Sequence, residues 1–287
     1  MSKFHVIDNI SEPGCSNGEN EDCFGWNHSA VFVIDGATPL GPPLITPPHS
    51  DAAWLAEFAR DFFVRELSSN SSGPETVRSL NKAARDYFFA HVHQEVEPYQ
   101  YPAAGFQALR ILEEGLETMG LADCVLFVQD AQNQCTRWTG GKPNRLPEQQ
   151  AARRALELTS GFKPSGGPLQ DDRVLIELRL QRSVYNTPEG SWTLGLEPAA
   201  ADHVIVQNLK TLLPATVILC TDGFAEMVDH YAIHTIDSMI ARAEKEGLAR
   251  LLIELRHMER HLDPDGSMFP RYKQSDDATA VLICIRE

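Results

Sequence analysis

Four places in this chain set acidic side chains at the edge of an apolar run. Glu21-Asp22 precede AVFVI, Asp35 ends that run, Asp222 follows VILC, and Asp276-Asp277 precede TAVLICI. Strand ends in a layered fold converge on one rim, so residues far apart in sequence can meet there. Carboxylates gathered in one spot repel, and each resists ionising unless a positive charge joins them. Hard divalent cations such as Mg2+ and Mn2+ remove that conflict, because they prefer carboxylate, carbonyl and water oxygens. Asp35-Gly36 and Asp222-Gly223 each place glycine after the acid, where a chain turns tightly or brings a carbonyl close to a ligand. Taken singly these features are ordinary: an Asp-Gly pair after a strand is a turn, and paired acids are a solvated loop. Their joint order and spacing are what point to a cation site.

The elements that must position these acids follow from periodicity and punctuation. Residues 4–10 and 30–35 read as strands, joined by the Gly- and Asn-rich loop 13–22. After a proline-rich stretch from Pro39 to Pro48, Ser50 or Asp51 caps a helix carrying Trp54, Leu55, Phe58, Phe62 and Leu67. Ser71-Ser72-Gly73 end it. Pro74 opens a second helix to about Val96, and a third helical segment covers 103–119. Strands are expected at 123–129, 135–139, 173–180, 202–207, 215–220 and 278–285, with a helical region between Asp229 and Leu262. The Gly-, Pro- and Gln-rich stretch at about 140–170, around a short helical piece Glu148–Leu158, reads as a flap or insertion. With no internal repeat and no long linker, residues 1–287 are expected to form a single domain. This order is not the alternation of a doubly wound sheet; it suits an α+β arrangement of antiparallel sheets covered by helices. Neither GxGxxG nor GxxxxGK(S/T) occurs, so nucleotide-loop chemistry has no support.

Bulk composition narrows the classes further. Hydrophobic residues at 43% and charged residues at 23% are ordinary for a globular chain. A net charge of −15 argues against a nucleic-acid backbone as partner. The longest apolar runs, Val31–Ile34 and Val217–Cys220, are too short to span a bilayer, and MSKFHVIDNISEPG carries no secretory signal. The six cysteines are scattered without a CxxC pair, which fits a reducing cytoplasmic compartment and no zinc site.

In their order, ENEDCFGW, VFVIDGATPLG, VILCTDGFAEMVD and QSDDATAVLI resemble the signature segments of the metal-dependent PPM (protein phosphatase 2C-like) serine/threonine protein phosphatases, with SWTLGLEPAA similar to a stretch of bacterial members. The resemblance runs from about residue 4 to the C-terminus, and the middle third matches poorly. It implies a four-layered α-β-β-α sandwich, two Mn2+ or Mg2+ ions, and hydrolysis of phosphoserine or phosphothreonine in proteins by a metal-bridging hydroxide. Carried over by position, Asp35 would bridge the two metals and the Gly36 carbonyl would ligate one. Asp222 and Asp276 would ligate the other metal, while Glu21 and Asp22 would act through metal-bound waters. Asp277, where many relatives carry Asn, would support the ligands from behind, and Thr279 would belong to the strand holding that loop.

Three departures stand out. Asn17 occupies the place of a phosphate-gripping Arg, Ala37 that of a His after Asp-Gly, and Gly140-Gly141-Lys142 align with a Gly-Asp-Ser segment whose Asp helps hold a third metal. Glu226 is the neighbouring acid left for that metal, and Lys142 or Arg145 could hold phosphate instead. The missing proton donor has no obvious substitute; His49, past the Asp35 segment, is the best placed of His28, His49, His91 and His93. Asp123 could enter the site, although a strand-end cap is the simpler role, and Trp54 and Trp192 are expected in the core. The basic-aromatic stretch Phe269–Lys273 could steer a phosphorylated substrate or be an ordinary loop. Two other classes stay open. A hydrolase forming an aspartyl-phosphate would need a second Asp where Ala37 stands, and a phospho-dependent binding or regulatory protein would explain the altered auxiliary positions.

Overall fold

The computed structural model describes residues 3–16, 18–45, 49–141, 146–159, 161–162 and 167–286. Two five-stranded antiparallel sheets form its centre. The first runs β1 (Lys3–Glu12), β10 (Ala278–Arg286), β9 (Ala215–Cys220), β6 (Val125–Gln129), β7 (Cys135–Thr139). The second runs β2 (Asp22–Trp26), β3 (Ala30–Gly36), β4 (Ala104–Leu112), β5 (Gly115–Leu121), β8 (Ile205–Leu209).

Apolar runs such as AVFVI show no polar alternation because both of their faces are covered. Val31 and Val33 point between the sheets, against Leu126, Val128, Leu219 and Val281. Phe32 and Ile34 point the other way, against Leu55, Phe63, Leu80 and Phe88 of α1 (Asp51–Glu66) and α2 (Gly73–His91). Phe32 meets Phe63 edge-on at 5.3 Å, a geometry that adds to burial worth about 2–3 kcal/mol per ring. Ile218 and Leu282 pack outward against Phe224, Ile240 and Leu255 of α5 (Asp222–Asp229), α6 (Ile236–Glu246) and α7 (Leu248–His257). The layers are α-β-β-α, as expected. Among the described residues no helix is long and apolar enough to cross a membrane.

Local signals fix several ends. Ser50 Oγ accepts from the Ala52 and Ala53 amides at 3.1 and 3.4 Å and so starts α1. Ser72 caps α2 with Pro74 in its first turn, and that helix stops at His91 rather than near Val96. Trp54 and Trp192 are half-buried and packed against the core rather than enclosed in it.

Two expected elements are corrected. Residues 103–119 are the β4–β5 hairpin, turning at Gly115 with φ of 138°, not a helix. Both faces of β4 are buried, so its continuous apolar residues mimic a helical stripe. Residues 173–180 belong to a helix, α4 (Asp172–Arg182), not a strand; Asp171 caps it by accepting from the Arg173 amide at 2.9 Å. Its Leu, Glu, Gln and Arg content favours helix over the apparent alternation. β2 forms where no strand is expected, 202–203 lie in a 3-10 turn before β8, and the region 229–262 is divided among three helices. The 140–170 flap contains α3 (Leu146–Thr159), close to the expected helical piece.

Candidate active site at the strand rim

The acids meet because the strands deliver them to one edge. Asp22 and Asp35 are direct partners across β2 and β3. Cys220, ending β9, pairs with Val125 at the start of β6 and with Ala280 near the start of β10. That register carries Asp123, Asp222 and Asp276-Asp277 to the same edge, and Asp222 is the first residue of α5.

A buried hydrogen-bond system joins the two sheets behind the acids. Thr221 Oγ1 donates to Asp22 Oδ2 at 2.7 Å and accepts from the Thr279 amide at 3.1 Å. The Thr279 hydroxyl lies 2.7 Å from that of Ser11, in keeping with a supporting place in β10. Asp277 accepts from the Gly14 amide at 2.9 Å and the Glu21 amide at 2.7 Å, so its carboxylate ties the β1–β2 loop to β10. Glu21 Oε1 accepts from Ser50 Oγ at 2.5 Å, which couples that acid to the start of α1. The Gly36 amide donates to the Glu21 carbonyl at 3.0 Å.

Negative charge is concentrated here. Surrounding protein strips water from Asp35, and Asp22, Asp222, Asp123 and Asp276 repel its anion, so its pKa stands well above 3.8. Burial does the same to Asp22, with Asp277, Asp276 and Asp222 adding repulsion and Thr221 opposing. Burial also raises Glu21, against the pull of Ser50 and Lys273. No donor among the described residues meets the Asp35 carboxylate, which keeps a partly open face. Such a group fits a cation ligand: a charge held off water, surrounded by like charges, with free lone pairs. Yet no group of three or more His, Cys, Asp or Glu among the described residues is already drawn into a metal-holding cluster. The carboxylates instead lean on Thr221, Ser50, Lys273 and backbone amides, as their mutual repulsion favours.

Beside the rim lies a cavity of about 70 Å³, lined by Asp222, Glu226, His230, Lys273 and Asp276, and by Glu148 and Gln149 of α3. Asp222 and Glu226 lie on successive turns of one α5 face, and His230, four residues on, is the C-cap of that helix. Gln149 lies 3.1 Å from His230 Nδ1, so the flap helix touches the cavity wall. Lys273 Nζ reaches Asp276 Oδ1 at 2.6 Å; burial opposes its charge, but Asp276 and Glu21 more than compensate and push its pKa upward.

Lys142, Arg145 and Asn17 lie outside the described residues. His49 Nδ1 sits 3.0 Å from Glu19 on an exposed loop. Thr221 and His230 were missed by sequence reading. The hydroxyl in VILCTDG was the available sign for Thr221, and the four-residue spacing of Asp222, Glu226 and His230 for His230.

The two-sheet α-β-β-α architecture is that of the PPM-type serine/threonine protein phosphatases. The catalytic domain of the serine threonine protein phosphatase PstP, solved with two manganese ions, matches with a TM-score of 0.54 at 13% identity over 100% of both chains. The PPM Ser-Thr phosphatase MsPP from Mycobacterium smegmatis, solved with cacodylate, gives 0.54 at 12% identity, covering 97% of this chain and 98% of that one. PppA, a key regulatory component of the T6SS in Pseudomonas aeruginosa, gives 0.55 at 12% identity over 99% of both. Likeness at these identities establishes the fold. No family model and no curated protein matches the sequence.

Proposed function

We propose that residues 1–287 form a single metal-dependent phosphatase domain that hydrolyses phosphoserine or phosphothreonine monoesters in cytoplasmic protein substrates. One observation carries the reading: Asp22, Asp35, Asp222 and Asp276 share a rim where the Asp35 carboxylate meets neither donor nor counter-charge among the described residues. The fold supports it, and PstP, which has that fold, holds two manganese ions.

Asp35 and the Gly36 carbonyl would hold one ion, with Asp35 shared by a second on Asp222 and Asp276. Glu21 and Asp22 would hold coordinated waters, and Glu226 would be the acid left for a third ion. When bound, two Mn2+ or Mg2+ ions supply an activated water and neutralise phosphoryl charge. The chain's own part is positioning. Thr221 fixes the Asp22 carboxylate, Ser50 orients Glu21, and Asp277 sets the distance between the β1–β2 loop and β10.

A catalytically weak or inactive phosphatase-like binding protein is the second reading. The Ala37 side chain has no acidic proton to give a leaving oxygen. A Cβ at Gly141 would strike the Ala122 carbonyl, so an acid for a third metal cannot stand there without backbone movement. The deciding experiment is hydrolysis of para-nitrophenyl phosphate and a phosphothreonine peptide with Mn2+, Mg2+ or chelator, beside Asp35→Asn and Asp222→Asn. Metal-dependent turnover lost in both variants is the expected result. Mn2+ binding by calorimetry without turnover under any condition would establish the binding protein instead.

A further inference from the structure

We propose that Lys273 is the residue that grips the substrate phosphate, its ammonium standing beside Asp276 in the wall of the cavity that adjoins the acidic rim. The assignment rests on the phosphatase reading and supplies the cation that the sequence lacks at Asn17.

The first argument is place. Lys273 shares the cavity wall with Asp222, Glu226 and Asp276, carboxylates that a phosphoryl dianion entering the cavity would meet. Its side chain is 26% exposed and lines that cavity, so it is sheltered yet within reach of a ligand there.

The second argument is the division of Asp276. Its Oδ1 accepts from both Lys273 Nζ, at 2.6 Å, and the Asp277 amide, at 2.9 Å. Oδ2 has no partner among the described residues. Lys273 and a cation can therefore share this carboxylate, one on each oxygen. In that arrangement the ammonium would stand beside a cation held by Asp276 without displacing it. An ammonium carries three donors, and Asp276 uses one, which leaves two for phosphoryl oxygens.

The third argument is elimination along the same loop. Arg271 also lines the cavity, but its guanidinium is spent on the Asp263 carboxylate and on four backbone carbonyls, those of Glu259, Asp263, Phe269 and Gln274. It is a strut. Lys273 has Asp276 as its one hydrogen-bond partner among the described residues.

The test uses the full chain loaded with Mn2+ and inorganic phosphate as the probe, followed by titration calorimetry. Lys273→Met should keep its Mn2+ affinity within about threefold and lose roughly 10- to 100-fold in phosphate affinity, the range for one charged hydrogen bond. KM for para-nitrophenyl phosphate should rise in parallel. Lys273→Arg should recover most of the phosphate affinity, and Lys273→Gln serves where the methionine variant does not fold. Phosphate affinity unchanged in Lys273→Met overturns the assignment and moves it to Lys142 or Arg145. Loss of Mn2+ together with phosphate also overturns it, since Lys273 would then only prop Asp276. A wild-type chain that takes up no Mn2+ refutes the phosphatase reading itself, before any variant is compared.

Discussion

Replacing Asp35 with Asn should stabilise the metal-free protein and destabilise the metal-loaded one, a reversal that an ordinary structural aspartate would not produce. Asn keeps the shape and removes one charge from a rim where Asp22 stands directly opposite. At roughly 5 Å and an effective dielectric of about 20, that pair alone repels by about 3 kcal/mol. Part of this is already relieved by proton uptake, because both acids titrate above 3.8 in the folded chain. A net gain of about 1–3 kcal/mol in chelator is therefore expected at pH 8, a rise of roughly 2–8 °C in melting temperature. The sign with pH follows from linkage. An acid raised in the folded state binds a proton that the unfolded chain has released, so wild-type stability falls as pH climbs from 3.8 through the raised values. The advantage of Asp35→Asn should thus grow over that window and vanish near pH 3. With Mn2+ at about a thousand times its dissociation constant, the wild type gains about 4.1 kcal/mol that the variant largely forgoes, and the order of melting temperatures inverts. Thermal melts by circular dichroism, in chelator and in Mn2+ across pH, measure all of this. A variant that melts below wild type in chelator would refute the claim that Asp35 is an uncompensated charge. Absence of inversion in Mn2+ would refute its role as a ligand.

Two further substitutions probe the support of the site. Thr221→Val removes the 2.7 Å donor to Asp22 and the acceptor for the Thr279 amide, which should cost about 1–3 kcal/mol in denaturant unfolding and weaken Mn2+ binding in calorimetry. Wild-type affinity in that variant would separate the inter-sheet bond from the rim. Arg271→Ala leaves the fully buried Asp263 without its 2.6 Å partner and should cost about 3–5 kcal/mol, read as a lower urea midpoint at unchanged slope.

How much of this was legible depended on what each element buries. β3, β9 and β10 were readable because an apolar run closed by an acid admits little but a covered strand ending at a rim. The 103–119 segment misled because a strand buried on both faces places apolar residues at nearly every step, and a helical stripe can be drawn through them. α4 misled for the opposite reason. Of its apolar residues only Val174 is buried, while Ile176 and Leu180 are 58% and 68% exposed. The helix docks through its arginines. Arg179 donates to the Leu40 carbonyl at 2.9 Å and lies 5.0 Å over the Tyr99 ring, and Arg182 reaches the Ala37 and Thr38 carbonyls at 3.4 Å. No hydrophobic periodicity encodes contacts of that kind. They nevertheless fasten α4 to the loop that follows Asp35-Gly36.

The two Asp-Gly pairs are legible in the sequence as a pattern with its physics undecided. A glycine after the acid allowed either a tight turn or a close approach of backbone. Neither Gly36 nor Gly223 has a positive φ, so conformational freedom is not what these positions require. Space is. A Cβ on Gly36 would come within 2.5 Å of the Glu21 carbonyl oxygen and 3.0 Å of that of Ala52, and one on Gly223 would collide with the Asp277 carbonyl. Each glycine lets the segment bearing one acid lie against the backbone of a segment bearing another: Asp35 against Glu21, Asp222 against Asp277. The repeated Asp-Gly is therefore a packing requirement of the acidic rim. It could be recognised in the sequence as a pattern, but which backbone each glycine admits depends on the register of β2 with β3 and of β9 with β10, which is a property of the paired sheets and not of either segment alone.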